Sequence, residues 1–196
     1  LEVCGGVEVV SVKKVHSQSG IMSVESIANA LFYLIMIAVV TMIAAKVMNT
    51  GKMATTVSAL SLLRSNLQYV GTNAGNYNSV STLSLPQLVP GLLKDLATPV
   101  AGKALLPTTE TVTVGVSQIG DPDETGTTLT AVNSAIFRMQ IDSVSPQDCR
   151  RIGYYGLGGG YGVMINAAVV TMVSSVSGIE TNCGTTTPVN VVLTSR

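Results

Sequence analysis

The feature that most limits what this chain can fold into is an uncharged run of twenty residues, Ser26 to Ala45, with one acid, Glu25, directly before it. As an α-helix the run would rise about 30 Å, which matches the hydrocarbon thickness of a bilayer. The chain can therefore cross a membrane once near its N-terminus. An ordinary secretory signal fits less well, because its apolar region has only about 7 to 15 residues before a cleavage site.

Charges on the two sides of this span give a topology. Lys13 and Lys14 lie upstream and predict a cytoplasmic N-terminus with an exported C-terminus. Lys46 and Lys52 on the far side weaken that bias. A carboxylate such as Glu25 costs about 2.5 to 3.5 kcal/mol at a bilayer centre, so it needs a partner or a role; a Glu in the headgroup region is the simpler alternative.

The residues around the start of the span carry a family resemblance. Gly20 and four uncharged residues precede Glu25, and in this the chain resembles the type IV pilins, whose precursors have a leader ending in Gly and a Glu at the fifth mature position. The resemblance implies cleavage between Gly20 and Ile21 and N-methylation of Ile21. It also implies that Glu25 pairs with the N-terminal amine of a neighbouring subunit during assembly.

Two departures from the usual pattern concern the modification and the helix geometry. Ile21 stands where Phe or Met is common, and no proline occurs between Ile21 and Gly51, where many pilins have one that kinks the helix. A leader of twenty residues is closer to the type IVb pattern. The phrase Leu60 to Tyr77, followed by Leu88-Val89-Pro90, is similar to type IVb pilins of the conjugative thin-pilus, PilS-like kind.

The resemblance divides the chain into a leader, residues 1–20, a hydrophobic transmembrane and polymerisation helix, residues 21–50, and a globular pilin domain, residues 51–196. One apolar stripe extends the helix to about residue 70. Its members are spaced three or four residues apart: Met53, Val57, Leu60, Leu63, Leu67 and Val70. Gly71 is expected to stop the helix, and residues 71–109 to form a loop region.

Residues 110–196 are expected to hold a β-sheet and a disulfide-bounded region. Apolar residues alternate over residues 111–116 and 137–142, and two further segments, 161–176 and 189–194, are apolar and rich in β-branched residues. We expect an antiparallel sheet of four or five strands on the amphipathic half of the long helix, an α+β architecture of the type IV pilin kind. Ser145 followed by Pro146 predicts the start of a short helix that carries Cys149.

The cysteine count fits the processing that the resemblance implies. Cys4 lies in the leader, so its removal leaves Cys149 and Cys183. A disulfide between them would place the domain in an oxidising compartment such as the periplasm. Two unrelated buried thiols are the alternative.

Composition argues against several classes of function. The formal net charge is zero and only 11% of residues are charged, so nucleic-acid binding has little support. The single histidine, His16, lies in the leader, and we expect no enzyme activity, metal or cofactor. The glycine cluster Gly156 to Gly162 is expected to be a flexible surface loop, and the acidic segment Asp121 to Glu124 a solvated turn.

The resemblance thus implies a structural subunit that polymerises into a type IVb pilus for cell contact, adherence or conjugative mating. The implied partners are other copies, a prepilin peptidase, an inner-membrane platform with its assembly ATPase, and a minor pilin or adhesin at the tip. The precursor would lie in the inner membrane and the product in an extracellular pilus. The alternatives are a minor pilin, a type II secretion pseudopilin, or a signal-anchored surface binding protein that never polymerises.

Overall fold

The structure is a computed structural model that describes residues 24–184 and 188–196, with the backbone alone at residues 24–30, 49 and 175. The described helices are α1 (Val24–Ala74), α2 (Leu85–Leu88), α3 (Pro146–Gly158) and α4 (Ser175–Cys183). The described strands are β1 (Lys103–Leu105), β2 (Thr111–Val116), β3 (Phe137–Val144), β4 (Gly162–Ile165), β5 (Ala168–Val170) and β6 (Val189–Ser195). The chain forms two compact units, one ending at Ala44 and the other covering Ala45–Arg196.

Helix α1 ends later than its sequence predicts. Gly71, the expected stop, is buried within the helix, and the helix continues to Ala74. The ring of Tyr77 packs so closely on Gly71 that an added Cβ would lie 2.1 Å from a ring carbon. Gly75, with φ of +71°, instead adopts the left-handed conformation that commonly ends a helix. Gly71 is therefore a packing residue, and the prediction of a helix stop there is wrong.

The second half of α1 supplies one wall of the hydrophobic core. Four residues of the predicted stripe are buried: Met53, Leu60, Leu63 and Leu67. The other two, Val57 and Val70, are half-buried. The buried residues join one cluster with the inward-facing side chains of β2, β3 and β6, such as Val112, Met139 and Leu193. The amphipathic half of the long helix thus packs as expected against the sheet.

The sheet has six described strands in the order β1-β2-β3-β6-β4-β5, and every neighbouring pair is antiparallel. The sequence predicts only four or five strands. It does not predict β1, because β1 is only three residues long and lies in the expected loop region. In addition, the apolar segment after Tyr161 folds as a hairpin, not as one strand. Asn166 and Ala167 have φ of 49° and 66°, the conformation of a tight two-residue turn between β4 and β5.

Helix α3 begins as predicted but extends further. The backbone N–H of Asp148 donates to the Ser145 side chain at 3.1 Å, which caps the helix, and Pro146 occupies the first turn. The helix then continues through Gly158, so residues 156–158 of the expected flexible glycine loop are helical. Gly156 is buried, and an added Cβ would lie 2.7 Å from Leu193. Gly156 thus allows α3 to approach the sheet, and the prediction of a flexible loop is wrong for residues 156–158.

Candidate assembly surface

Residues 31–48 of α1 expose apolar side chains on all sides of the helix. Within the described residues, one helix segment, Leu31–Ala74, is long and apolar enough to cross a membrane, with a mean hydropathy of 2.3 in its most apolar window. The large apolar side chains are 46% to 73% exposed: Leu31, Phe32, Tyr33, Leu34, Ile35, Met36, Ile37, Val39, Val40, Met42, Ile43, Val47 and Met48. Such a contiguous apolar surface requires lipid or protein to cover it.

One polar group inside this segment, the Thr41 hydroxyl, is satisfied by the helix itself. The Thr41 hydroxyl lies 3.0 Å from the carbonyl oxygen of Ile37 and 2.9 Å from that of Ala38, and it donates to this pair of acceptors. A hydroxyl that bonds to the preceding turn can enter an apolar environment without an unpaired donor. Thr41 therefore does not prevent the segment from lying in lipid or among other helices.

The predicted processing and assembly residues lie at the start of α1 or before it. Glu25 is the second residue of α1, and its backbone alone is described. An acid in the first helical turn interacts favourably with the helix dipole. Gly20, Ile21 and the rest of the predicted leader, residues 1–20, lie outside the described residues. The pairing of Glu25 with a neighbouring amine remains a prediction.

The solvent-facing side of α1 in the second unit also carries apolar groups. Leu62 and Tyr69 are 49% and 71% exposed and lie seven residues apart, so they share one face of the helix. Ser58 and Ser65 are exposed next to them. This face points away from the core and leaves room for a close neighbour, because serine side chains are small.

Arg64 links α1 to other residues of the second unit, Ala45–Arg196. Its guanidinium carbon lies 4.3 Å from the centre of the Tyr161 ring, and its Nη1 donates to the carbonyl of Gly159. The Tyr161 and Tyr155 hydroxyls are 3.2 Å apart. Burial, together with this contact to Tyr155, raises the pKa of the Tyr161 hydroxyl. One turn further along α1, Gln68 Nε2 donates to the carbonyl of Arg196 at 2.6 Å.

Cys149 and Cys183 are bonded and join α3 to α4, in agreement with the predicted pairing. Both residues are buried. Around the disulfide, Arg150 Nε lies 2.7 Å from Glu180, and Arg150 Nη2 donates to the carbonyl of Gly184 at 2.9 Å. The disulfide thus anchors α4 against α3 with the support of an ion pair.

The acidic segment after β2 is not a solvated turn throughout. Asp121 is only 2% exposed; its carboxylate accepts from the backbone N–H of Gln118 at 2.7 Å and lies 3.1 Å from Arg138 Nε on β3. The Thr194 hydroxyl donates to the carbonyl of Pro122. A Cβ added to Gly162 would lie 2.3 Å from the carbonyl oxygen of Asp123. The segment therefore packs on the outer face of the sheet, and the prediction is wrong for Asp121.

Two further acids in this segment organise it. Asp123 Oδ1 accepts from the backbone N–H groups of Thr125 and Thr127 at 2.9 and 2.8 Å. Desolvation would raise the pKa of Asp123, but these bonds and the Thr125 hydroxyl bond outweigh it, so the pKa is lowered. Glu124 accepts from the Ser195 hydroxyl at 2.8 Å and the Arg196 N–H at 2.7 Å, which ties the end of β6 to the segment.

The sequence did not predict the contacts of Arg64, and it assigned Asp121 and Glu124 to a solvated turn without the contacts that they make. The partners of Arg64 and Glu124 are about 70 to 95 positions away along the chain, and that of Asp121 is 17 away. One signal was present: with 11% charged residues, each charge in a folded segment is a candidate for a specific contact.

Comparison with known proteins relates the chain to solved structures and not to sequence families. No protein-family model matches the sequence, and no curated protein is significantly similar to it. A crystal structure of a type IV b pilin from Salmonella typhi matches with a TM-score of 0.51 at 18% identity, covering 71% of this chain and 97% of that one. At that identity the likeness establishes the fold alone.

A second solved structure, of TcpA, a type IV pilin from the Vibrio cholerae El Tor biotype, has a TM-score of 0.48 at 14% identity over 74% of this chain and 99% of that one. A score below 0.5 is too low to establish a shared fold, so the assignment rests on the first structure. The long N-terminal helix and the antiparallel six-stranded sheet confirm the predicted fold class. The chain has the type IV pilin fold.

Proposed function

We propose that this protein is a structural subunit that polymerises into a type IV pilus. The observation that carries the proposal is the exposed apolar surface of residues 31–48 on a chain with the type IV pilin fold. Lipid can cover this surface before assembly, and the same segments of other copies can cover it in a filament. The exposed stripe of Leu62 and Tyr69 extends the surface that a neighbouring copy can contact.

Assembly would begin with processing at the N-terminus. A prepilin peptidase would remove residues 1–20, cutting between Gly20 and Ile21, and would methylate the new amine of Ile21. Glu25 would then pair with the Ile21 amine of a neighbouring subunit. Pairing offsets much of the cost of burying a carboxylate and sets the register of the incoming subunit. Residues 21–50 would form the filament centre, and residues 51–196 its outer domain.

We assign the subunit to the type IVb class, as a major pilin for adherence, cell contact or conjugative mating. Support comes from the sequence similarity described above, over Leu60 to Tyr77 and Leu88-Val89-Pro90. The precursor would lie in the inner membrane, and the filament would be extracellular. Assembly would use an inner-membrane platform driven by a separate ATPase, and a minor pilin or adhesin would occupy the tip.

Substitution of Glu25 tests the proposal in cells. Glu25→Ala makes the span more apolar and lies far in sequence from the sheet, so insertion, cleavage and folding should persist while filaments are lost. Asp95→Ala is a matched control, since it removes an exposed carboxylate from the globular unit. The measurement is filament yield in sheared fractions, with the amount of processed protein in membranes measured alongside.

The two functional classes differ in the expected result. A pilus subunit should lose filaments with Glu25→Ala and keep them with Asp95→Ala, at equal amounts of processed protein. A signal-anchored surface protein would form no filaments in either case. Normal filaments from Glu25→Ala would contradict the role of Glu25.

A further inference from the structure

We propose that Lys46, Lys52 and Arg151 form a basic collar that binds the headgroups of anionic phospholipids while the subunit lies in the membrane. The proposal rests on the membrane-inserted stage of the proposed function. The three cations have no other role in the proposed assembly. Their partner surface would be a bilayer that contains anionic lipid.

The helix places both lysines at the depth of lipid phosphates. Lys46 directly follows Ala45, the last residue of the uncharged run, and both belong to the second unit. Lys52 lies seven residues beyond Ala45, a rise of about 10 Å along α1. The polar layer of each leaflet is about 5 to 7 Å thick. Lysine side chains can bend back toward the interface, so both ammonium groups can reach it.

Arg151 joins this collar from α3. It lines one pocket with Lys52, and the other lining residues are Thr108, Thr109, Ser145, Gln147 and Asp148. It also lies beside the α1 surface formed by Thr50, Met53, Ala54 and Val57. The second unit thus brings cations from two separate helices to the same stretch of α1, directly after the apolar run.

The collar has an excess of positive charge. The ion pairs among the described residues join Arg138 to Asp121 and Arg150 to Glu180, and none of the three collar cations takes part. One surface carboxylate lies among them, Asp148, which accepts a hydrogen bond from the Ser145 hydroxyl at 2.7 Å and stands in the first turn of α3.

Glu110 is another acid near this pocket in the sequence, since it directly follows the lining residue Thr109. It is only 8% exposed and makes no ion pair in the described structure. Lys52 and Arg151 therefore share this pocket with one surface carboxylate, and Lys46 lies exposed on α1 six residues before Lys52.

Anionic lipid is the partner that this placement favours. Basic residues normally accumulate on the cytoplasmic side of a span, and cations just beyond its exported end oppose that tendency. A phosphate layer at the same depth supplies the countercharge that the chain lacks there. Each cation near an anionic membrane surface is expected to favour association by about fivefold, and salt screens the effect.

The test uses the full chain reconstituted in phosphatidylcholine vesicles that contain spin-labelled phosphatidylglycerol or spin-labelled phosphatidylcholine. Electron paramagnetic resonance measures how strongly each labelled lipid associates with the protein. The double variant Lys52→Gln/Arg151→Gln removes two collar charges. Lys94→Gln/Lys103→Gln removes the same charge from exposed positions elsewhere. Lys52→Arg/Arg151→Lys retains the collar charge.

We expect the wild-type protein, the charge-retaining variant and the Lys94/Lys103 control to prefer phosphatidylglycerol, with a preference that high salt weakens. In the Lys52/Arg151 charge-removing variant, the preference for phosphatidylglycerol should be about fivefold or more weaker than in the wild-type protein. Equal association of the two lipids with wild type, or equal losses in both charge-removing variants, would overturn the proposal. An alkaline wash that strips the protein from vesicles would instead contradict the membrane-spanning stage, and with it the proposed function.

Discussion

The guanidinium of Arg64 stacks 4.3 Å from the centre of the Tyr161 ring and donates to the carbonyl of Gly159. Arg64 is the one charged residue of α1 after Lys52 in the sequence. A cation over a partly desolvated ring and a charge-assisted hydrogen bond both stabilise the packing of the helix on its domain. The contact therefore joins α1 to the turn between α3 and β4.

Replacing Arg64 should weaken the globular unit. Arg64→Met keeps much of the side-chain length but loses both interactions, so the free energy of unfolding should fall by about 1 to 2 kcal/mol. Lys94→Met, at an exposed position, should change it by less than about 0.5 kcal/mol. Urea unfolding of the full chain in detergent, followed by circular dichroism, measures both; equal effects would contradict the assigned contact.

Two glycines in neighbouring segments should respond oppositely to alanine. At Gly162 an added Cβ would lie 2.3 Å from the backbone carbonyl of Asp123, so Gly162→Ala should destabilise the fold by about 2 kcal/mol or more. At Gly158 nothing lies within 4 Å, and Gly158→Ala should be neutral or slightly stabilising. Thermal unfolding of the two variants makes the comparison; a destabilised Gly158→Ala with an unaffected Gly162→Ala would contradict this packing.

The disulfide should contribute strongly to stability. Cys149 and Cys183 are 34 residues apart, and the chain-entropy model gives a stabilisation of about 3 to 4 kcal/mol for a loop of that size. The Cys149→Ser/Cys183→Ser variant should lose about that much free energy of unfolding. Peptide mapping without reduction should recover the linked peptides from surface protein, and two free alkylatable thiols there would count against the bond.

The Asp123 carboxylate should make stability depend on acid pH. Its folded pKa is lowered from 3.8 by the Thr125 and Thr127 hydrogen bonds, so its contribution is complete above that unfolded value and is lost as pH falls through the lower folded pKa. Because water screens this half-exposed group, the contribution should stay below about 1 kcal/mol. Urea unfolding at neutral and acid pH measures this dependence. In Asp123→Asn the free energy of unfolding should fall less on acidification than in the wild-type protein, and an equal fall would contradict the role of Asp123.

The long helix and the central strands were predictable because their periodicities are local. Met53, Leu60, Leu63 and Leu67 repeat at helical spacing and are buried, and the alternation over residues 137–141 matches the buried face of β3. The N-terminal cap of α3 was also predictable, because Ser145 and Pro146 act on the adjacent backbone.

The errors concern glycines and acids whose roles depend on side chains outside their own local segment. Gly71 and Gly156 have the local character of a helix stop and a loop, yet each makes room for a side chain, Tyr77 or Leu193, that only tertiary packing brings there. Asp121 lies in a turn-forming sequence but is paired with Arg138 across the sheet. Gly20, Ile21 and Glu25 rest on the family pattern alone, because no fold geometry decides a processing site.

Whether this protein is a processed pilus subunit can be measured directly as the intact mass of the subunit in filaments sheared from cells that express this chain. We expect filaments built from a chain that begins at Ile21, with a mass that includes one N-terminal methyl group and one disulfide. Surface protein that retains residues 1–20, or a processed chain that never enters filaments, would contradict it.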